Sequence, residues 1–188
     1  HYSMGYEYQL TELLELDVSL FYKTFDNLVR QTESTQIQFN NDGIGRAYGL
    51  ELLLRHNMGS RFFGWIAYTL QRSERQDGPS EEWRPFDQDQ THNFIVLGQY
   101  RLTPKWSFGF RWRYVTGNPE TPVIGSIYYA DSNVYVPKFG ETNSGRQPPF
   151  HQLDLRVDRL WTFDTWKLTG YLDIRNVYNQ ANGSDRIY

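Results

Sequence analysis

The sequence predicts an all-β fold: an antiparallel, up-and-down transmembrane β-barrel wall of about eight strands. Three observations in the 188-residue chain carry this reading. Apolar residues recur with a period of two over segments longer than the roughly 5 to 6 residues usual in globular strands. The connections alternate between short turns and long polar loops. Aromatic residues make up 17% of the chain, an excess over ordinary soluble domains that calls for a cause.

The elements follow in order. An opening strand runs from Met4 to Leu10. In the second, Leu14, Leu16, Val18, Leu20 and Tyr22 alternate with Glu15, Asp17, Ser19, Phe21 and Lys23, so one face is apolar and the other largely charged. The third sets Tyr48, Leu50, Leu52 and Leu54 against Gly49, Glu51, Leu53 and Arg55. Phe62 to Arg72 and Asn93 to Leu102 are apolar on both faces, and alternation alone does not orient them. Phe108, Phe110, Trp112 and Tyr114 oppose Gly109, Arg111 and Arg113. The pattern is cleanest near the end, where Leu153, Leu155 and Val157 alternate with Asp154, Arg156 and Asp158. The eighth strand sets Leu168, Gly170, Leu172 and Ile174 against Lys167, Thr169, Tyr171, Asp173 and Arg175.

Thr11 to Leu13, Asn57 to Arg61, Thr103 to Lys105 and Trp161 to Thr165 are short turns. Asp26 to Gly45, Ser73 to Thr91 and Thr116 to Pro149 are long loops rich in Gly, Pro, Asn and Ser. Outer-membrane barrels have this asymmetry, with periplasmic turns and extracellular loops. Aromatics near the short turns, namely Phe62, Phe63, Trp65, Tyr100, Trp106, Trp161, Phe163 and Trp166, are expected to form an interfacial girdle. A soluble β-sandwich with aromatics at its hairpin ends is the competing reading, but a sandwich rarely uses strands this long.

Composition excludes several classes. The 19 Lys+Arg against 22 Asp+Glu leave a net charge of −3, so no basic field exists to hold a nucleic acid. Without cysteine there are no disulfides and no thiolate chemistry. No apolar run reaches the about 20 residues of a membrane helix, a test that barrel strands escape. Neither a Ser/His/Asp set nor a paired acid and base is visible, so no catalytic residue and no enzyme is expected. No cofactor is implied.

Candidate sites fall in two groups. Glu51, Arg55, Arg111, Arg113, Asp154, Arg156, Asp158, Asp173 and Arg175 are expected to face the lumen, where cross-strand ion pairing accounts for most of them. On the loops, Trp83, Arg84, Phe86, Tyr128, Tyr129, Tyr135 and Arg146 combine rings with cations and are expected to bind ligand, although loop packing explains them equally well. Asp87, Asp89 and His92 bring oxygen and imidazole close together, yet polar residues at a strand mouth are the better reading, and no metal site is assigned. His56 and His151 sit at strand ends without partners at ligand spacing. Gly43, Gly45 and Gly49 lack the spacing and the following helix of a phosphate loop. Asn182-Gly183-Ser184 matches an acceptor pattern for glycosylation that means little in a bacterial surface protein.

Several segments resemble the late strands of TonB-dependent outer-membrane receptors. The residues that carry the resemblance are Asp42-Gly43-Ile44-Gly45-Arg46-Ala47-Tyr48-Gly49-Leu50-Glu51, then Leu153-Asp154-Leu155-Arg156-Val157-Asp158, then Leu172-Asp173-Ile174-Arg175-Asn176-Val177-Tyr178-Asn179. Gly64 to Thr69 and Tyr114 to Pro122 also fit. The resemblance implies a location in the outer membrane of a Gram-negative bacterium and a 22-stranded plugged barrel of which 1–188 is a partial, C-terminal region without its final strand. It further implies binding of a scarce small molecule or chelate at extracellular loops, and import driven by the TonB complex through a plug that is not in this chain. Outer-membrane lipid and other surface proteins complete the expected partners. The alternative is a small eight-stranded outer-membrane barrel with a structural or adhesive role.

Overall fold

The computed structural model describes residues 1–31, 39–59, 61–78 and 80–183. Residues 32–38 of the first long loop, Ser60, Pro79 and Ser184 of the Asn182-Gly183-Ser184 triplet lie outside the described residues. The strands are β1 (Tyr2–Gln9), β2 (Leu14–Gln31), β3 (Phe39–His56), β4 (Phe62–Gln76), β5 (Arg84–Pro85), β6 (His92–Arg101) and β7 (Trp106–Val115). They continue with β8 (Pro119–Glu120), β9 (Val123–Tyr129), β10 (Val134–Phe139), β11 (Gly145–Arg146), β12 (Phe150–Thr162) and β13 (Lys167–Ile174). The wall runs β1-β2-β3-β4-β6-β7-β12-β13, with β5 beside the upper end of β4. All neighbours are antiparallel, β1 and β13 do not pair with each other, and the barrel is therefore not closed by these strands.

Register fixes the faces, because a slip of one residue would turn every side chain over. Met4 pairs with Leu20, Val18 with Leu52, Leu50 with Leu70, and Phe110 with Leu155, so apolar positions coincide from strand to strand. The same registers orient the two strands that alternation left open. Ile66, Tyr68 and Leu70 face Leu54, Leu52 and Leu50, while Val96 lies between Ile66 and Trp112, all on the apolar face. Trp65 lies opposite Arg55 and Leu97, and Ala67 opposite Leu53 and Ile95, on the polar face. The expected girdle is corrected accordingly. Phe62, paired with Tyr100, shares the apolar face, whereas the register puts Phe63 and Trp65 on the other side.

A further aromatic band lies on the apolar face towards the long loops. Tyr22 stacks with Tyr48 at 6.1 Å between ring centroids, Tyr68 meets Phe94 at 6.3 Å, and Phe94 meets Trp112 edge-on at 5.6 Å. Among the described residues no hydrophobic side chain is fully buried, and Met4, Tyr6, Leu20, Leu70 and Leu172 lie open on this face. An apolar surface of this extent suits contact with hydrocarbon rather than water.

The loops depart from expectation. β2 and β3 have 18 residues each, about 60 Å at about 3.3 Å per residue, against roughly 30 Å of bilayer hydrocarbon. The first long loop, expected from Asp26 to Gly45, is thus largely strand. It is interrupted by a bulge between Phe25 and Leu28 where Asn27 adopts φ 57°, a left-handed conformation that Asn tolerates. The third loop contains the short β8–β11 pair and the β9–β10 hairpin, whose residues are exposed along nearly its whole length. After β13, Asn176 at φ 52° closes a turn: its side-chain oxygen accepts from the Gln180 amide at 2.9 Å and its side-chain nitrogen donates to the Gln180 carbonyl at 3.0 Å. Val177 donates back to the Leu153 carbonyl, tying the turn to β12.

Candidate functional site

On the polar face, six of the residues expected to line a lumen gather in one groove of about 460 Å³. Arg111 and Asp154, opposite each other on β7 and β12, are 2.6 Å apart. Asp154 is 6% exposed and also accepts from the Gln152 side chain and the Asn176 amide, so it joins β7, β12 and the turn after β13. Arg156 binds Asp158 at 2.7 Å and lies 4.1 Å over the Tyr171 ring, while Arg175 stands 3.7 Å from Asp173. Gly109, facing Arg156, leaves the width of the groove. Glu51, Arg55 and Arg113 share the polar face outside it. Arg55 pairs with Glu15 at 2.9 Å, Arg113 donates to Gln152 at 3.3 Å, and Glu51 lies between Ser19 and Thr69. Near the short turns, Glu7, Glu15 and Asp17 bring three carboxylates within 4.8 Å of one another, with Arg55 as counter-charge.

The long-loop end of the sheet carries the other group, split between the two faces. Trp83 lies on the apolar side: the Arg46 guanidinium sits 4.2 Å over its ring and donates to Glu74 at 2.7 Å. Arg84 and Phe86 lie on the polar side. Arg84 makes two hydrogen bonds to Asp77 at 2.7 and 3.0 Å, and these hold its pKa above the ordinary arginine value. Phe86 covers the Arg75 guanidinium at 4.0 Å, and Phe25 from β2 covers it at 4.9 Å. Burial, then the facing Arg84, push the Arg75 pKa below its ordinary value. Gly45 is paired with Arg75, and a Cβ there would lie 2.7 Å from its Nη1. Of the three glycines in the Asp42–Glu51 motif, Gly45 is thus the one whose missing side chain lets the Arg75 guanidinium lie where it does.

Arg146 holds loops together. It donates to both the carboxylate and the carbonyl of Asp89, to the Gly117 carbonyl at 3.1 Å and to Thr91 Oγ1 at 3.0 Å. Asp89 is fully buried and also accepts from the Ser73 amide at 2.6 Å. Of the Asp87, Asp89 and His92 cluster, Asp89 is taken up in this way, Asp87 accepts from Asn143 at 2.6 Å, and His92 Nδ1 meets the Tyr68 hydroxyl at 2.9 Å. His56 packs edge-on against Phe62, and His151 meets the Tyr178 hydroxyl. Tyr128, Tyr129 and Tyr135 stand apart on the β9–β10 hairpin, Tyr135 70% exposed and 4.9 Å from the Tyr128 ring. Sequence reasoning missed Arg75, which lies in a charged run where only its register with Gly45 singles it out.

An open antiparallel wall with one apolar and one ion-paired face, and its long loops at one end, defines a segment of a transmembrane β-barrel. The family model described as TonB dependent receptor-like, beta-barrel, matches residues 1–177, and the chain belongs to this family of outer-membrane β-barrels. Among solved structures it is similar to the ferric-catecholate import receptor Fiu from K12 E. coli in its closed form, with a TM-score of 0.66 and 17% identity over 95% of this chain and 23% of that one. It is likewise similar to the FrpB iron transporter from Neisseria meningitidis (F3-3 variant), with a TM-score of 0.63 and 15% identity over 95% of this chain and 26% of that one. The chain thus spans about a quarter of the length of each. No curated protein sequence matches it. At these identities the structural likeness shows the fold.

Proposed function

We propose that the chain is part of the wall of an outer-membrane receptor that binds a scarce ligand at its long-loop end and imports it with TonB-derived energy. The observation that carries this reading is the family match over residues 1–177 on a wall whose eight strands leave the sheet open. A free-standing eight-stranded barrel would pair β1 with β13. The polar face would line the lumen, and the groove of Arg111, Asp154, Arg156, Asp158, Asp173 and Arg175 would hold a hydrated, charge-balanced path along it. The two solved structures are a ferric-catecholate import receptor and an iron transporter, so a ferric chelate is the first ligand to try. No covalent chemistry is involved; binding and displacement suffice.

The test is uptake of radiolabelled ferric chelates by iron-starved cells that carry the full-length receptor as their only such protein, with and without a working TonB. Uptake that needs both the receptor and TonB supports the reading. Uptake unchanged by deletion of the receptor, across catecholate, hydroxamate and carboxylate chelates, removes iron cargo. Uptake indifferent to TonB removes the energy coupling.

A further inference from the structure

We infer that Arg75 is an anion-binding residue at the long-loop end of the polar face, built to take an oxygen anion carried on a planar or aromatic group. The inference rests on the receptor reading for its biological use, but its geometry stands apart from it. Arginines in this part of the sheet are otherwise matched to acids: Arg46 and Arg72 to Glu74, Arg84 to Asp77, Arg146 to Asp89. Arg75 is the exception. Among the described residues no carboxylate lies within ion-pair distance of it, and its donors are met by the Glu74 carbonyl at 2.9 Å and, weakly, by Ser73 Oγ at 3.5 Å. Among the described residues its Nε and Nη2 have no hydrogen-bond partner, and the residue as a whole is half-buried.

The side chain is nevertheless held in place. Phe86 and Phe25 stack on the guanidinium, at 4.0 and 4.9 Å, and the bare backbone of Gly45 gives it room. A cation fixed between rings loses little entropy on binding a planar anion, and the guanidinium fork matches two oxygens on one group. Arg84, directly across the strand pair, adds positive potential, while its own acid Asp77 keeps it from competing for the ligand. Asp87, whose charge also acts on Arg75, is outside ion-pair distance of it, is engaged by Asn143 and stands 3.6 Å from Arg84. A carboxylate or catecholate presented from the solvent side meets the free edge of Arg75, with Phe86 and Phe25 as flanking walls.

The experiment uses the purified full-length receptor in detergent and 4-bromobenzoate as the probe. Wild-type protein is expected to show saturable binding by intrinsic fluorescence and, in crystals, bromine anomalous density beside Arg75. Arg75→Met is expected to weaken binding at least tenfold. Gly45→Ala, which crowds the guanidinium without removing it, should weaken it severalfold, and Arg75→Lys should fall between. A heat-modifiable gel shift confirms that each variant is folded. Binding by wild type that is indifferent to all three substitutions, or bromine density elsewhere, overturns the assignment, as does an absence of binding to folded wild type. In parallel, an anionic ferric tris-catecholate and a cationic ferric trihydroxamate are titrated. Loss of the first alone in Arg75→Met supports the assignment. If wild type takes up no ferric chelate yet binds bromobenzoate at Arg75, the cargo reading fails while the anion site stands.

Discussion

Single residues in this wall live in one of two media, and substitutions should sort by which. Leu155 sits on the apolar face between Phe110 and Ile174, near the middle of β12. An arginine there would be dragged into hydrocarbon, so Leu155→Arg is expected to lower folding stability by about 2 to 4 kcal/mol in lipid vesicles, measured by urea titration of tryptophan fluorescence. Its neighbour Arg156 points the other way and is half-exposed, so Arg156→Leu gives up one surface pair and is expected to cost at most about 1 kcal/mol. Equal effects at the two positions would mean that the faces are inverted. Arg146 obeys a third logic. Removing it takes the short ion pair from the fully buried Asp89 and leaves Arg72, at 3.8 Å, as its remaining counter-charge, a change that costs less than the about 3 to 5 kcal/mol of a buried charge left wholly unpaired. Because both partners lie at loop ends, Arg146→Met is expected to loosen residues 77–91 and 116–149 without unfolding the wall, and limited proteolysis of the folded receptor should cleave both loops faster. Cleavage in one loop alone would break the proposed link.

At the scale of elements, what could be read in advance follows from where two faces of a strand see different surroundings. Leu14 to Lys23 alternates because one side meets apolar neighbours and the other an ion-paired surface, and that stretch of β2 is legible. Beyond Lys23 the same strand continues to Gln31, but both sides are polar or mixed, so the period fades and a loop is the natural reading. Phe62 to Arg72 hides its orientation for the opposite reason. Trp65, Ala67, Ile95, Leu97 and Leu53 put an apolar patch on the polar face, and only pairing with oriented neighbours breaks the tie. The charged residues Arg111, Asp154, Arg156 and Asp158 were visible as a face, though not as pairs, since partners come from register. The loop residues were harder still. Trp83 and Phe86 are three apart in sequence yet pack on opposite sides of the sheet, and Arg146 reads like a ligand contact while its donors are used up on Asp89 and its neighbours. Asn176 and Asn179 stood out as a motif, but their role as left-handed turn residues needed the backbone.

The whole molecule is held by its ladder of strand pairs more than by a core, as no hydrophobic side chain among the described residues is fully buried. With the polar face on the lumen, as proposed, the apolar face meets lipid, which then stands where a packed interior would in a soluble domain. The unpaired edges of β1 and β13 each present backbone donors and acceptors that hydrocarbon cannot satisfy, which is why strands of this family work as closed cylinders. Against that frame the β9–β10 hairpin behaves differently. Among the described residues its strands pair only with each other, and its tip from Ala130 to Asn133, turned by Asn133 at φ 54°, is exposed. The tip is therefore a place where foreign sequence can be spliced in. A short epitope inserted between Asp131 and Ser132 is expected to leave the heat-modifiable fold intact and to be stained by antibody on unbroken cells. Staining only after the cells are opened would put this end of the protein on the inner side of its membrane. The hairpin is thus a handle for reading the protein's orientation in living cells.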